Sequence, residues 1–443
     1  MDRTKQLAEE TVGRLLFMFS MPAIIGMMVN AIYNIVDRIF VGRGVGTLAL
    51  SGIAISFPIN MLLMAFGMLI GVGATALISI KLGQNKKDEA ENIIGNAVTL
   101  LLLISVFMCV FFGLFTEKLL ILFGASPEVL PYAKEFVYVI ILGIPAMSIG
   151  FGMNNFIRAE GNPKTAMMSM LIAAGLNIIL NPLFIFVFHL GVAGSALATV
   201  CSQTVVAVWV LAYFLGKRSH LKLRRCYLRI RGDIVKQIIA IGLSPFATQF
   251  VAGFIIVLIN NRLALYGGDM AIAAFGVINA VSMVILMPIF GLAQGVQPII
   301  GYNFGARNMK RVKEALKYVI ISATAVCCTG FLLVELFPGY LIELFSEGNV
   351  EFTATGIQGL RIFLAMLPIV GMQIMASQYF QATGRAKQAI FLSMSRQVVF
   401  LIPALYVLPS FFKLAGVWAA GPASDLASLI VSMMFLFWDL RRI

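Results

Sequence analysis

Arg158-Ala159-Glu160-Gly161-Asn162-Pro163-Lys164 recurs 223 residues later as Gln381-Ala382-Thr383-Gly384-Arg385-Ala386-Lys387. Leu82-Gly83-Gln84-Asn85, followed by Lys86 and Lys87, recurs as Phe304-Gly305-Ala306-Arg307, followed by Lys310 and Arg311. Leu122-Phe123 returns as Leu344-Phe345, Pro145 as Pro368, Pro22 as Pro245 and Gly73 as Gly295, all at offsets of 222 or 223. One such pair means little. A single offset shared along both halves marks an internal duplication.

What is duplicated is a membrane-spanning unit. The chain has 443 residues, is 60% hydrophobic and 12% charged, with a mean hydropathy of +0.95. Soluble proteins carry about 25% charged residues, so the bilayer is the solvent here. A span needs about 20 apolar residues. Twelve runs qualify, near 15–40, 48–80, 93–115, 132–157, 165–188, 191–215, 237–262, 271–302, 316–338, 356–381, 387–410 and 413–438. The second and eighth are long enough to tilt or bend, with Pro58 and Pro288 inside them. The first run follows a charged segment, Met1 to Arg14, and others succeed it without pause, so it reads as a span rather than a cleaved signal. The expected fold is an all-α polytopic membrane protein of twelve transmembrane helices in two parallel six-helix repeats. The expected division is a lobe at 1–215, a basic linker at 216–236 and a second lobe at 237–443. Halves of six spans enter the membrane in the same direction, an architecture that transporters use to bind substrate between lobes and expose it to either side.

The formal net charge of +13 invites a nucleic-acid partner, which its distribution rejects. Loops on the amino-terminal side hold 25 of the 33 basic residues, Arg158 and Lys164 among them. The opposite side holds Arg38, Arg43, Lys118, Lys134, Arg262, Arg361 and Lys413. This bias puts both termini in the cytoplasm and the chain in the plasma (inner) membrane. The five cysteines have no metal-ligand spacing, and His189 and His220 stand far apart. No zinc-protease, nucleophile-elbow or P-loop motif holds, so no enzyme and no cofactor are expected. Without a nucleotide site, the energy source left is an ion gradient.

The first span ends Asn30-Ala-Ile-Tyr33-Asn34-Ile-Val-Asp37-Arg38-Ile-Phe40-Val-Gly42. Asn30, Tyr33 and Asn34 precede Asp37 by seven, four and three residues, which on a helix is one face. A carboxylate at membrane depth is costly and marks a functional site by default. The fifth span carries Ser169, Ala173, Asn177 and Asn181 at four-residue spacing before Pro182, and the sixth carries Ser195, Thr199 and Gln203. With the two spans antiparallel, Asn181 and Thr199 fall at similar depths near Asp37. Ser169, Ser195 and Gln203 read instead as hydrogen-bonding contacts between helices. In the second half Asn260 and Asn261 stand where Asp37 would repeat, and Gln373, Ser377 and Gln378 occupy the tenth span without an acid. Arg396 and Asp425 lie at matching depths and read as a structural ion pair. The candidates for a substrate cavity are Asn30, Asn34, Gln203, Asn260, Met283, Met287 and Gln378, methionine being suited to varied shapes.

These residues resemble the multidrug and toxic compound extrusion (MATE) family of the MOP type. Tyr33, Asp37, Arg38, Phe40 and Gly42 are similar to its first helix, Arg158 to Pro163 to its loop between spans four and five, and Asn177 to Pro182 to its fifth helix. The resemblance implies an exporter that exchanges H⁺ or Na⁺ for small organic, cationic and amphipathic compounds. Within the DinF-like and MepA-like branches it maps the cation site onto Tyr33, Asp37, Asn177, Asn181 and Thr199, with Na⁺ at Asp37 as the alternative to H⁺. Related sequences often carry Asp where this chain has Asn181, and an amide does not titrate. The carboxylates of the NorM-like carboxy-terminal lobe are absent. The expected partners are substrate and membrane lipid, with a monomer as the working unit. A flippase of lipid-linked saccharides is the alternative, with sparse intramembrane charge against it.

Overall fold

Helices fill the computed structural model, which describes residues 3–217, 219–343 and 350–442. Leu344-Phe345 of the duplication and Arg218 of the linker lie outside the described residues. The first half holds α1 (Val12–Gly44), α2 (Thr47–Gly83), α3 (Lys87–Leu122), α4 (Leu130–Ala159), α5 (Pro163–Val187) and α6 (Gly191–Leu215). In the second half, one helical run, Gly232–Gly305, is broken at Gly268, where φ is 64°. It therefore supplies two spans, α7 (232–267) and α8 (269–305). After α9 (Met309–Leu336), α10 comprises Val350–Phe363 and Leu367–Ala382, bent by 47° at the short break. The run Ala386–Arg442 contains Lys413 at φ 51° and divides there into α11 (386–412) and α12 (414–442). The twelve expected spans are present. Several exceed their apolar runs: α1 has 33 residues, about 50 Å at 1.5 Å each, against a hydrocarbon layer of about 30 Å.

The duplication is written into the backbone. Four pairs of left-handed residues stand at the sequence offset: Asn85 with Arg307 (both φ 58°), Gly161 with Gly384, Gly46 with Gly268, and Gly191 with Lys413. Each ends or joins helices at equivalent places. Gly46 and Gly268 turn the chain between the first two spans of their halves, a conformation that glycine adopts without steric cost.

The halves are joined near the end that carries the termini, by backbone laid on backbone. A β-carbon on Gly73 would overlap the carbonyl oxygen of Ile238, and one on Gly242 that of Leu69. The pattern repeats between Gly83 and Tyr302 and between Gly305 and Ile80. Gly291 and Gly295 of α8 meet α1 so closely that a β-carbon would stand 2.7 Å from Ile24 Cα and 2.6 Å from Ser20 Cα. Small residues allow this approach, which gives helices their van der Waals attraction in lipid. Farther from the termini the rings of Phe66 and Phe246 meet edge-on at 5.0 Å, and a β-carbon on Gly253 would lie 3.9 Å from Met61 Sδ. Beyond that level Ile32, Ile35, Phe250 and Phe254 are exposed.

The linker is fastened to the first half by two buried acids. Glu160 accepts from the Tyr213 hydroxyl, from Ser219 Oγ at 2.7 Å and from Leu221 N at 3.2 Å. Glu91 accepts from Lys222 N at 3.0 Å and pairs with Arg224 Nε at 2.7 Å. Asn96 Oδ1 accepts from Arg231 N at 2.7 Å, and Thr99 Oγ1 donates to Leu228 O at 2.8 Å.

Candidate functional site

Three elements meet at Asp37. The site-bearing end of α5 is set by Pro182, which has no N–H to give and whose ring crowds the preceding turn. The helix answers with a π turn at Leu183–Val187, where Phe188 N reaches back five residues to Leu183 O at 3.0 Å. Such turns are frequent at functional sites. At its other end α5 begins with Pro163, and Asn162 caps it by accepting from Thr165 N at 3.4 Å.

The antiparallel pairing of α5 and α6 matches Asn177 with Thr199 and Asn181 with Ser195. Asn177 Nδ2 donates to Thr199 Oγ1 at 3.1 Å. One turn farther along, Asn181 Nδ2 and Ser195 Oγ (2.8 Å) both donate to Asp37 Oδ1. Asn177, Asn181 and Ser195 are buried and Asp37 is half-buried. The amide oxygens of Asn177 and Asn181 are buried without a hydrogen-bond partner. The cluster is therefore one carboxylate, two unpartnered carbonyl oxygens and two hydroxyls, all hard donors of the kind that suit H⁺ transfer or a hard cation such as Na⁺.

Of the residues singled out by sequence, Asp37, Asn181, Asn177 and Thr199 are brought together. Tyr33, half-buried, stands one turn along α1 from Asp37 without a hydrogen bond to it. Asn34 turns away from the acid and donates to Asn30 O at 2.7 Å and Asn30 Oδ1 at 3.0 Å. Gln203 lies half-buried one turn beyond Thr199 on α6. Asn260 on α7, Met283 and Met287 on α8, and Gln378 on α10 belong to the second half and make no hydrogen bond with the cluster; Met283 is exposed and the other three are half-buried. Ser195 makes the helix-to-helix hydrogen bond expected of it, and its partner is the Asp37 carboxylate itself. The sequence left that partner unspecified; the signal is its register, opposite Asn181 and one turn before Thr199. Ser169 does link helices, accepting from Asn154 Nδ2 at 2.5 Å.

In the second half, Arg396 Nε meets Asp425 Oδ1 at 2.6 Å, as expected, and Gln373 Nε2 donates to the Asp425 backbone oxygen. Arg396 sits in a π turn of α11, Ser395–Leu401, which stands at a different register from the one in α5. A correction concerns Arg158. Counted in the sequence as a loop cation, it is the end of α4 and is 6% exposed.

The chain matches the MatE family model over residues 22–183 and 244–407. It is 31% identical to the multidrug export protein MepA of Staphylococcus haemolyticus, over 98% of this chain and 95% of that protein. Among solved structures, the MATE multidrug transporter DinF-BH, solved as a complex, superposes with a TM-score of 0.90 at 37% identity, covering 97% of each chain. A multidrug resistance MATE family transporter of the MOP superfamily, solved in an outward-facing conformation, gives 0.93 at 25% identity over 99% of this chain and 98% of that one. With both halves matched and the fold shared from end to end, the chain belongs to the MatE family.

Proposed function

We propose that this protein is a multidrug efflux transporter that exchanges H⁺ or Na⁺ for organic, cationic and amphipathic compounds. The efflux reading draws on MepA, named a multidrug export protein, and on DinF-BH, named a MATE multidrug transporter. The observation that carries the coupling is the Asp37 carboxylate held by Asn181 and Ser195 with two spare amide oxygens beside it. A cation arriving there neutralises the carboxylate and offers those oxygens a partner. The donors from α5 and α6 are then free to rearrange, and an organic cation drawn by the same charge is released.

The basic end that carries the termini suits the cytoplasmic face of a plasma membrane. Closure of the glycine seam at that end, and likeness to an outward-facing relative, support an outward-open state. Asp37 then takes its ion from outside, and reversal of the opening releases it inside. One charge crossing 100 mV supplies about 2.3 kcal/mol, and each pH unit about 1.36 kcal/mol more. At 100 mV and one pH unit, one ion therefore sustains a gradient of roughly several hundredfold for a neutral substrate, whereas a monovalent organic cation exchanged one for one draws on the ion's concentration ratio alone. The site is complete within one chain, in keeping with a monomer in lipid.

The test is transport of a fluorescent organic cation into proteoliposomes under pH and Na⁺ gradients imposed separately. One gradient should drive uptake and the other should not. Equal uptake with neither gradient removes the coupling.

A further inference from the structure

Arg158 lies in the seam between the halves. Its guanidinium donates across the seam to Gln294 Oε1 of α8, and within α4 to Asn154 Oδ1 at 2.7 Å and Asn155 Oδ1 at 3.0 Å. Gln294 in turn donates to Met27 Sδ of α1 at 3.7 Å, and Asn155 Nδ2 lies 3.2 Å from where a β-carbon on Gly71 of α2 would be. The cation is thus held between α4 and α8, with α1 and α2 packed against its partners at the termini-bearing end. Every partner is a neutral amide, and Nε is buried with none. Among the described residues no carboxylate pairs with it. Glu160, two positions on, is turned to Tyr213, Ser219 and Leu221 of the linker region.

Packing does not demand a charge there. The duplicate position is Gln381, equally buried, which donates to Ser244 Oγ and Ser377 Oγ within its own half. The first half therefore carries a full positive charge where its duplicate carries a neutral amide. A buried ion without a counter-ion is a standing cost, and intramembrane charges kept at such cost line the paths of ions.

We propose that Arg158 is the charge barrier of the transport path: a fixed cation at the closed end of the cleft that turns back cationic substrate and coupling ions while the seam is shut. A positive group at a constriction rejects cations by its field, without blocking the pore sterically. When the halves part at this end, Gln294 is withdrawn, the guanidinium gains water and its field is screened, so that cargo passes only in that state. This rests on the transport reading above and adds the direction in which leakage is prevented.

The experiment is passive cation leak into proteoliposomes, with no drug present, under a potassium-diffusion potential. It compares Arg158→Gln, Arg158→Lys and Gln294→Ala with the unaltered protein. Arg158→Gln should raise H⁺ and Na⁺ leak tenfold or more, the order expected of one unit charge met about 10 Å away at an effective dielectric of about 20. Chloride leak should not change. Arg158→Lys, which keeps the charge, and Gln294→Ala, which removes only the bond across the seam, should stay tight. A tight Arg158→Gln overturns the proposal, as does a Gln294→Ala as leaky as Arg158→Gln, since packing then makes the seal. If Arg158→Gln does not fold, Gln294→Glu cancels the charge from the other side; it should leak, and a tight result overturns the barrier equally. Drug exchange by the unaltered protein is measured in the same vesicles. Its absence counts against the transporter reading, whereas a tight Arg158→Gln beside normal exchange counts against the barrier alone.

Discussion

Asn181 gives its Nδ2 hydrogen to Asp37 Oδ1 and keeps its own Oδ1 buried without a partner. Asn177 repeats the pattern one turn away, donating to Thr199 with its oxygen left over. A buried acceptor left unmade costs about 1–3 kcal/mol, which gives the proposed coupling a physical basis. Under that proposal, an arriving cation or its water would relieve both oxygens at once.

Asp37→Asn should abolish export, because an amide neither takes a proton nor balances a cation. Accumulation of a fluorescent organic cation in cells expressing the variant should equal that of cells lacking the protein, with the melting temperature of the purified variant within a few degrees of normal. Normal export would remove Asp37 from the mechanism.

Ser195→Ala identifies the ion by sign. The hydroxyl donates to the charged carboxylate at 2.8 Å, a bond of about 1.5–3 kcal/mol, or tenfold and more in affinity. If H⁺ is the coupling ion, losing a donor that competes with it tightens binding. If it is Na⁺, losing a donor oxygen weakens binding. The half-saturating ion concentration for transport is the measurement, and no shift means that Ser195 does not contact the loaded site.

Much of this site was legible because polarity is rare in apolar runs: Asp37, Asn177, Asn181 and Thr199 stand out at helical spacing. Ser195 was read as a contact between helices, but not its partner, since a hydroxyl in a span usually satisfies itself on its own helix, as Ser202 does on Ala198 O at 2.7 Å. Arg158 was hidden for a different reason. Its neighbours in sequence are loop residues, and counting loop charge puts it in water. Its burial comes from α8 of the other half, 136 residues away, which a reading along one chain does not place beside it. The twelve spans were readable from hydropathy, including the divisions of the helical runs 232–305 and 386–442, which the structure places at left-handed Gly268 and Lys413.

The Arg396–Asp425 pair should prove structural. Asp425 is 5% exposed and the Arg396 side chain 36%. Asp425→Asn should therefore cost about 3 kcal/mol, the low end for breaking a buried pair. Replacing both with apolar residues of similar size should restore most of the loss. Melting in detergent checks the stability, and loss of ion coupling in the stable double variant would instead make the pair a second coupling site.

Glu91→Gln should loosen the linker without touching Asp37. The carboxylate is fully buried and holds both Lys222 N and Arg224. Cleavage by trypsin at Arg224 and Arg225 should quicken several-fold while transport persists, and an unchanged cleavage rate would mean that Asn96 and Thr99 hold the segment alone.

Gly242→Ala should lower the melting temperature by several degrees. Its β-carbon would overlap the Leu69 carbonyl, and overpacking costs about 1–3 kcal/mol. An unchanged melting temperature would mean that α2 and α7 separate at no cost.

The seam also bears on how the cycle proceeds. Gly83 on Tyr302 has its twin in Gly305 on Ile80, and the α2–α7 contact at Gly73 and Gly242 has its twin in the α8–α1 contact of Gly295 on Ser20. Peptide groups pressed together have no side-chain slack to stretch, so a slight gap already forfeits much of the attraction. Because the twins lie on either side of one pseudo-symmetry axis, a gap on one side levers open the other. Under the proposed exchange cycle, half-open molecules should therefore be scarce, and a population watched one at a time should flip between two arrangements instead of drifting through a continuum.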